Sequence, residues 1–176
     1  MSQQLNRKIV VVGAPSVGKS SLTMQFVESV FSDNYQPTIN ASFTKSYKYK
    51  NNNYNLEIHD TAGIDEFTLL NTQFANVHGV VLVYSITSRQ SFTMLMVIRD
   101  KILQLTGLDN IPTVLVGNKC DLSNREVEYE EAKQLSTGWK GVAIESSAKL
   151  NKNIDAIFQS LIDIMERKET SKCVLM

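Results

Sequence analysis

Neither sign of charge is in excess. Eighteen lysines and arginines face eighteen aspartates and glutamates, so no overall field favours nucleic acid. The two cysteines, Cys120 and Cys173, are too few for a disulfide framework, and both thiols are expected to be reduced. No stretch, the polar segment Met1 to Lys8 included, carries the apolar run that a signal peptide or membrane span requires. The folded body is therefore expected in the cytosol. His59 and His78 have no neighbouring metal-ligand or triad pattern and read as structural or surface residues. Repeats and low-complexity linkers are missing as well.

What remains is an ordinary composition, 43% apolar and 20% charged over 176 residues, which suits one domain with one sizeable core. Lys8 to Gly13 (KIVVVG) predicts a strand buried on both faces, and Leu22 and Phe26 place a helix over Lys19 to Glu28. Ala41 to Lys50 alternates through Phe43, Tyr47 and Tyr49, three asparagines follow, and Tyr54, Leu56 and Ile58 alternate again, which predicts an antiparallel hairpin. Lys45, Lys48 and Lys50 put its first arm at a sheet edge, where charge discourages unwanted pairing. Gly79 to Ile86, Thr113 to Asn118 and Val142 to Ser146 are further buried strands separated by helical segments. The last helix is marked by Ile154, Ile157, Phe158, Leu161, Ile162 and Met165. The fold class is α/β in three layers, with six mostly parallel strands, one antiparallel strand and about five helices. Ligand chemistry belongs in the loops at the strand C-terminal ends.

Four such loops carry chemistry. Gly13-Ala14-Pro15-Ser16-Val17-Gly18-Lys19-Ser20 has the spacing of a phosphate-binding loop: backbone N–H groups and a helix N-terminus aim at an anion, Lys19 reaches the β and γ phosphates, and Ser20 can ligate Mg²⁺. Alone it could be a helix cap after a glycine turn. Asp60-Thr61-Ala62-Gly63 offers a carboxylate that can hold Mg²⁺ through water and a glycine N–H for a γ phosphate, or is simply an Asp-led turn. In Asn118-Lys119-Cys120-Asp121, the Asp121 carboxylate can accept from N1–H and the 2-amino group of guanine, a donor pair that adenine lacks; a capping turn is the plainer alternative. Ser146-Ser147-Ala148-Lys149 can offer backbone N–H groups to the base.

In this order the four segments resemble the Ras superfamily of small GTPases across almost the whole chain. Leu22 to Phe26 (LTMQF), Pro37-Thr38-Ile39, Phe43-Thr44-Lys45 and Glu145 to Lys149 are similar to Rheb-like members in particular. The resemblance implies a P-loop GTPase fold, a G domain over residues 1–168 and a tail over 169–176, with GTP or GDP and Mg²⁺ as ligands. It implies nucleotide contacts from Ser16, Val17, Gly18, Lys19, Ser20, Ser21, Phe31, Tyr35, Thr38, Gly63, Asn118, Lys119, Asp121, Ser147, Ala148 and Lys149. The metal would be held by Ser20 and Thr38, and by Asp60 through water. Catalysis would engage Lys19, Tyr35, Thr38 and Gly63. Phe31 would stack near guanine and Tyr35 would close over the phosphates, although aromatic core packing is the plain alternative for both. The switch loops would span about Phe31 to Ala41 and Gly63 to Val77, ordered by the γ phosphate and released on hydrolysis. Effectors would dock at Thr38 to Lys45, a target-of-rapamycin (TOR) kinase complex being the Rheb-type candidate, with a tuberin-like activating protein as the off signal and a monomer as the working unit.

The chain departs from the family at telling places. Ile64 stands where Ras-like proteins usually carry the glutamine that orients attacking water, and Pro15, without an N–H, stands where many carry glycine. Intrinsic hydrolysis is expected to be slow, unless Ile64 merely packs against a neighbour and another group positions water. Gln36 and Asn40 replace acids common in the first switch and change which partner surfaces are attracted. The chain closes on Cys173-Val174-Leu175-Met176, a farnesylation signal on Cys173, and the basic residues near it are diluted by Glu166 and Glu169, so attachment to endomembranes is expected to be reversible. Trp139 and Cys120 read as packing residues. A GTP-binding interaction module with almost no hydrolysis, and a P-loop kinase for a small acceptor, are the competing readings; Asn118 to Asp121 speaks against the kinase.

Overall fold

The computed structural model describes residues 4–34, 36, 38–63 and 73–174, with side chains described as far as residue 167. Strand β1 (Gln4–Gly13) leads into helix α1 (Lys19–Glu28), and β2 (Ala41–Tyr49) and β3 (Asn52–Asp60) form the expected hairpin. Then come β4 (Gly79–Ser85), α2 (Arg89–Thr106), β5 (Thr113–Asn118), α3 (Tyr129–Gly138), β6 (Val142–Glu145) and α4 (Ile154–Val174). The six strands lie in the order β2-β3-β1-β4-β5-β6, and only β2–β3 is antiparallel. Four helices, rather than about five, occur among the described residues.

The β-branched runs behave as such runs must when a sheet is covered on both sides. Along β1, Ile9 and Val11 join the core beneath α1 and α4, while Val10 and Val12 join the one beneath α2. β4 and β5 divide in the same way, with Val81, Val83, Val114 and Val116 on the first side and Leu82, Tyr84 and Leu115 on the second. β1, β4 and β5 are thus pinned by two cores, and β3 joins the first through Tyr54, Leu56 and Ile58, so the loops at the C-terminal ends of the strands emerge from a fixed base.

The hairpin is edge-placed as expected, but Lys45 does not guard the edge. Its ammonium donates to the Phe26 carbonyl at the end of α1 and lies 4.5 Å from the centroid of the Phe26 ring. Alternation puts residue 45 on the inward face with Phe43 and Tyr47, and a four-carbon stem is long enough to cover an aromatic ring while its charge caps a helix C-terminus. Phe26 in turn stacks on Phe158 of α4, with ring centroids 3.7 Å apart.

Phe158 is fully buried at this junction of α1, β2 and α4. We expect Phe158→Ala to lower stability by about 3–5 kcal/mol through the cavity it leaves. Urea unfolding checks this, and a change below about 1 kcal/mol would refute the role given to the stack.

Candidate functional site

Helix α1 begins without a cap. Its N-cap residue, Gly18, is in the left-handed region at φ 95°, offers no side-chain acceptor, and no acid occupies the first turn. Helices α2 and α3 are treated differently: the Ser88 hydroxyl caps α2, and Glu128 with Glu131 forms a capping box on α3. The first N–H groups of α1 are therefore left for an outside anion, reinforced by the helix dipole. Lys19 lies beside them, only 5% exposed, with Nζ donating to the Ala14 carbonyl at 2.8 Å. Burial pushes its pKa down to about 8, while the nearby Asp60 charge pulls it back up.

Three oxygen groups converge one turn further on. The Ser20 and Thr38 hydroxyls hydrogen-bond to each other, joining α1 to the loop before β2. Asp60, at the end of β3, is 2% exposed, and its Oδ1 has no hydrogen-bond partner. Burial raises the Asp60 pKa, opposed by the Ser20 hydroxyl and the Lys19 charge. A buried carboxylate oxygen without a partner costs several kcal/mol, a cost that a cation would remove. Among the described residues no cluster of three His, Cys, Asp or Glu forms a metal cage. Two hydroxyls and one carboxylate instead suit a small hard cation that keeps water and takes phosphate oxygens, which is the habit of Mg²⁺. The residues fit that ion.

At the base end, Asn118 ties three segments together. Its Nδ2 donates to the Val17 carbonyl at 2.9 Å, and its Oδ1 accepts from the Ser146 hydroxyl and the Ala148 N–H, both at 3.3 Å. Lys119 donates to the Ser16 carbonyl at 2.8 Å, and Gln25 of α1 donates to the Ala148 carbonyl at 2.8 Å. Ser147 Oγ donates to Asp121 Oδ1 at 2.6 Å, which fixes the carboxylate expected to read guanine. A Cβ on Gly18 would overlap the Asn118 amide, so this approach requires glycine for space as well as for φ.

One cavity of about 650 Å³ runs between these parts, a volume suited to a nucleotide. Ser16, Gly18, Lys19, Ser20, Ser21, Phe31, Thr38, Gly63, Asn118, Lys119, Asp121, Ala148 and Lys149 all line it. Two expected nucleotide residues do not face it with their side chains: Val17 is packed in the core, and Ser147 is buried holding Asp121. Tyr35 and Ile64 lie outside the described residues. The sequence reading missed Met24, Val30, Asp33 and Leu122, which also line the cavity. Asp33 pairs with Lys149 at 3.3 Å across its mouth, and only a guess at loop closure could have suggested it. Outside the cavity, His59 is a structural link between Glu57 at 2.5 Å and Ser42 at 3.0 Å, and His78 accepts the Lys8 N–H at 2.8 Å. Trp139 packs on the core, with the Arg99 guanidinium 4.9 Å above its ring.

Comparison with known proteins agrees with this arrangement. The sequence model of the Ras family matches residues 8–167. The chain is 48% identical to the GTP-binding protein rhb1 of Schizosaccharomyces pombe over 165 residues, covering 93% of this chain and 89% of that one. It is 45% identical to the human GTP-binding protein Rheb over 164 residues, covering 92% and 89%. With the GTP-binding protein Rheb homolog of Dictyostelium discoideum, identity is 40% over 185 residues and the whole of both chains.

The state of Lys19 gives binding a pH dependence. With its amine at about 8 in the free protein, the ammonium that a phosphate requires is mostly present at neutral pH and must be acquired, with proton uptake, above about 8. We expect affinity for GDP to be flat near pH 7 and to fall above about pH 8, steepening toward roughly tenfold per unit. Titration with a fluorescent GDP between about pH 7 and pH 9 measures it, and constant affinity over that range would contradict the buried, lowered amine.

Proposed function

The chain belongs to the Ras family, and from that premise we propose that it is the switch of a growth-signalling route of the TOR type, carried to endomembranes by a lipid on Cys173. It is a Rheb-like small GTPase that binds GTP, GDP and Mg²⁺ and converts GTP to GDP and phosphate. The observation that carries the site reading is the meeting of Ser20 and Thr38, which line the cavity reached by all four nucleotide segments, with the buried, unpartnered Asp60 oxygen behind Ser20.

The geometry supports a division of labour. The open N-terminus of α1 and Lys19 receive the β and γ phosphates, while Asp121, braced by Ser147, accepts from guanine. Ser20 and Thr38, and Asp60 through water, would hold Mg²⁺, which would supply positive charge to neutralise that of the phosphates during transfer. Hydrolysis forms a bond from water oxygen to the γ phosphorus and breaks the bond to the bridging oxygen of GDP. The chain offers Gly63 at the phosphate end of the cavity and isoleucine at position 64, where a water-orienting amide would serve. Loss of that amide slows turnover and lengthens the life of the GTP form.

Thr38 joins the metal corner directly, so its loop answers to the γ phosphate, and the neighbouring Ile39 is 91% exposed. An apolar side chain held out beside an edge strand supports residues 38–45 as the effector surface. A TOR kinase complex as effector and a tuberin-like activating protein rest on the Rheb-named relatives. Residues 1–168 are proposed as the G domain and 169–176 as the lipidated tail, whose single prenyl signal makes membrane attachment reversible.

Single-turnover hydrolysis on protein loaded with Mg²⁺ and GTP is expected no faster than about 10⁻⁴ s⁻¹ and to rise in Ile64→Gln; a fast native rate, or ATP displacing GTP at equal concentration, would overturn the reading. In cells, Cys173→Ser should move the protein from membrane to soluble fractions, and only the GTP-loaded native form should stimulate a TOR kinase. Membrane retention by the variant, or equal stimulation by the GDP form, would refute those two assignments.

A further inference from the structure

The β2–β3 ladder ends at the pair Ala41 and Asp60. One step further the two backbones part, yet the loops remain joined by a side chain: Asn40 Oδ1 accepts the Ala62 N–H at 2.8 Å. Ladder register does not dictate this bond, because the backbone partner of residue 40 would be residue 61. Thr61 is already held from inside the fold, donating through both Oγ1, at 2.8 Å, and its N–H, at 3.3 Å, to the Val11 carbonyl. Gly63 rests on the phosphate loop so closely that a Cβ there would lie 2.6 Å from Pro15 Cα and Cγ. Ala62 is thus held at its N–H by Asn40, and the Gly63 that follows it lies against Pro15.

The two grips differ in kind. Pro15 belongs to the loop fixed between β1 and α1, whereas Asn40 lies two residues beyond Thr38 on the loop that reaches Ser20. With Thr38 drawn into the metal corner, Asn40 lies within reach of Ala62, and a displacement of that loop that carried Asn40 away would take the acceptor from the Ala62 N–H. We infer that Asn40 is a positioning residue that couples the two nucleotide-sensing loops, setting the Ala62–Gly63 peptide toward the γ phosphate and so favouring GTP over GDP. This rests on the GTPase reading of the cavity. The bond needs only an acceptor of this length, so a carboxylate can replace the amide oxygen, while an isosteric hydrocarbon cannot.

The test compares dissociation of a fluorescent non-hydrolysable GTP analogue and of fluorescent GDP, in Mg²⁺ buffer, from the native chain, Asn40→Leu and Asn40→Asp. Asn40→Leu should release the triphosphate about threefold to tenfold faster, the worth of one hydrogen bond, and the diphosphate at the native rate. Asn40→Asp should restore native triphosphate retention. Equal acceleration of both nucleotides, no acceleration of either, or failure of Asn40→Asp to restore retention would overturn the inference while leaving the GTPase reading intact. A native chain that retains neither nucleotide would overturn both.

Discussion

The site depends first on the amide of Asn118. This one buried side chain bonds the phosphate loop at Val17 and the base-facing loop at Ser146 and Ala148, and closes against Gly18. Each such bond is worth about 1 kcal/mol net, but an unsatisfied amide in this position would cost more than it contributes, so all of the partners must be in place together. The consequence is a preformed half-site. Phosphate cradle and base pocket come from distant parts of the chain, yet their spacing is set before a nucleotide arrives, and binding need not expend energy in arranging them.

The other half is built in the opposite manner. Among the described residues between the end of α1 and the start of β2, Phe31 packs at the margin of the core, and the side-chain bonds to the rest of the fold are the Ser20–Thr38 hydroxyl pair, the exposed Lys149–Asp33 pair and the Asn40–Ala62 bond. Exposed ion pairs and single hydrogen bonds contribute on the order of 1 kcal/mol or less each. Their sum is small beside the gain available from placing Thr38 on a cation that neutralises a buried carboxylate. A ligand able to supply the γ phosphate and the metal can therefore decide whether this segment is docked, which is the asymmetry that a switch requires.

Legibility followed the same division. Elements fixed by local pattern were readable: the β-branched runs of β1, β4 and β5 could be nothing but buried strands, and the glycine spacing before Lys19 named a phosphate loop. The roles of Asn118 and Lys45 were less so, because they depend on partners distant in sequence. Asn118 is expected among the nucleotide contacts and does line the cavity, but no local pattern tells that its amide also joins Val17, Ser146 and Ala148. Lys45 looked like an edge charge because its residue type says solvent, but its register says inward, and the long stem reconciles the two by lying on Phe26. Asp33, Leu122 and Val30 had no signature at all: they border the cavity through loop geometry, which no periodicity encodes.

The position of Lys45 also limits how far a change at the site can travel. From that residue onward the hairpin is bound to the far end of α1 and to α4: Lys45 to the Phe26 carbonyl, Tyr47 to Gln159 at 2.9 Å, Tyr49 to Asp163 at 3.1 Å and Lys50 to Asp163 at 2.6 Å. The Tyr47 ring also meets Phe26 edge-on, at 5.3 Å between centroids, above the Phe26–Phe158 stack. Moving the inner face of β2 would break these contacts together and expose aromatic surface, at a cost of several kcal/mol. Ala41 to Thr44 are held by the ladder to β3, and the segment before Ala41 bears neither load. A loop that answers to the nucleotide therefore has a physical end where the ladder begins, reinforced at Lys45 by an ammonium on an aromatic ring, and the edge strand beyond it presents a constant surface.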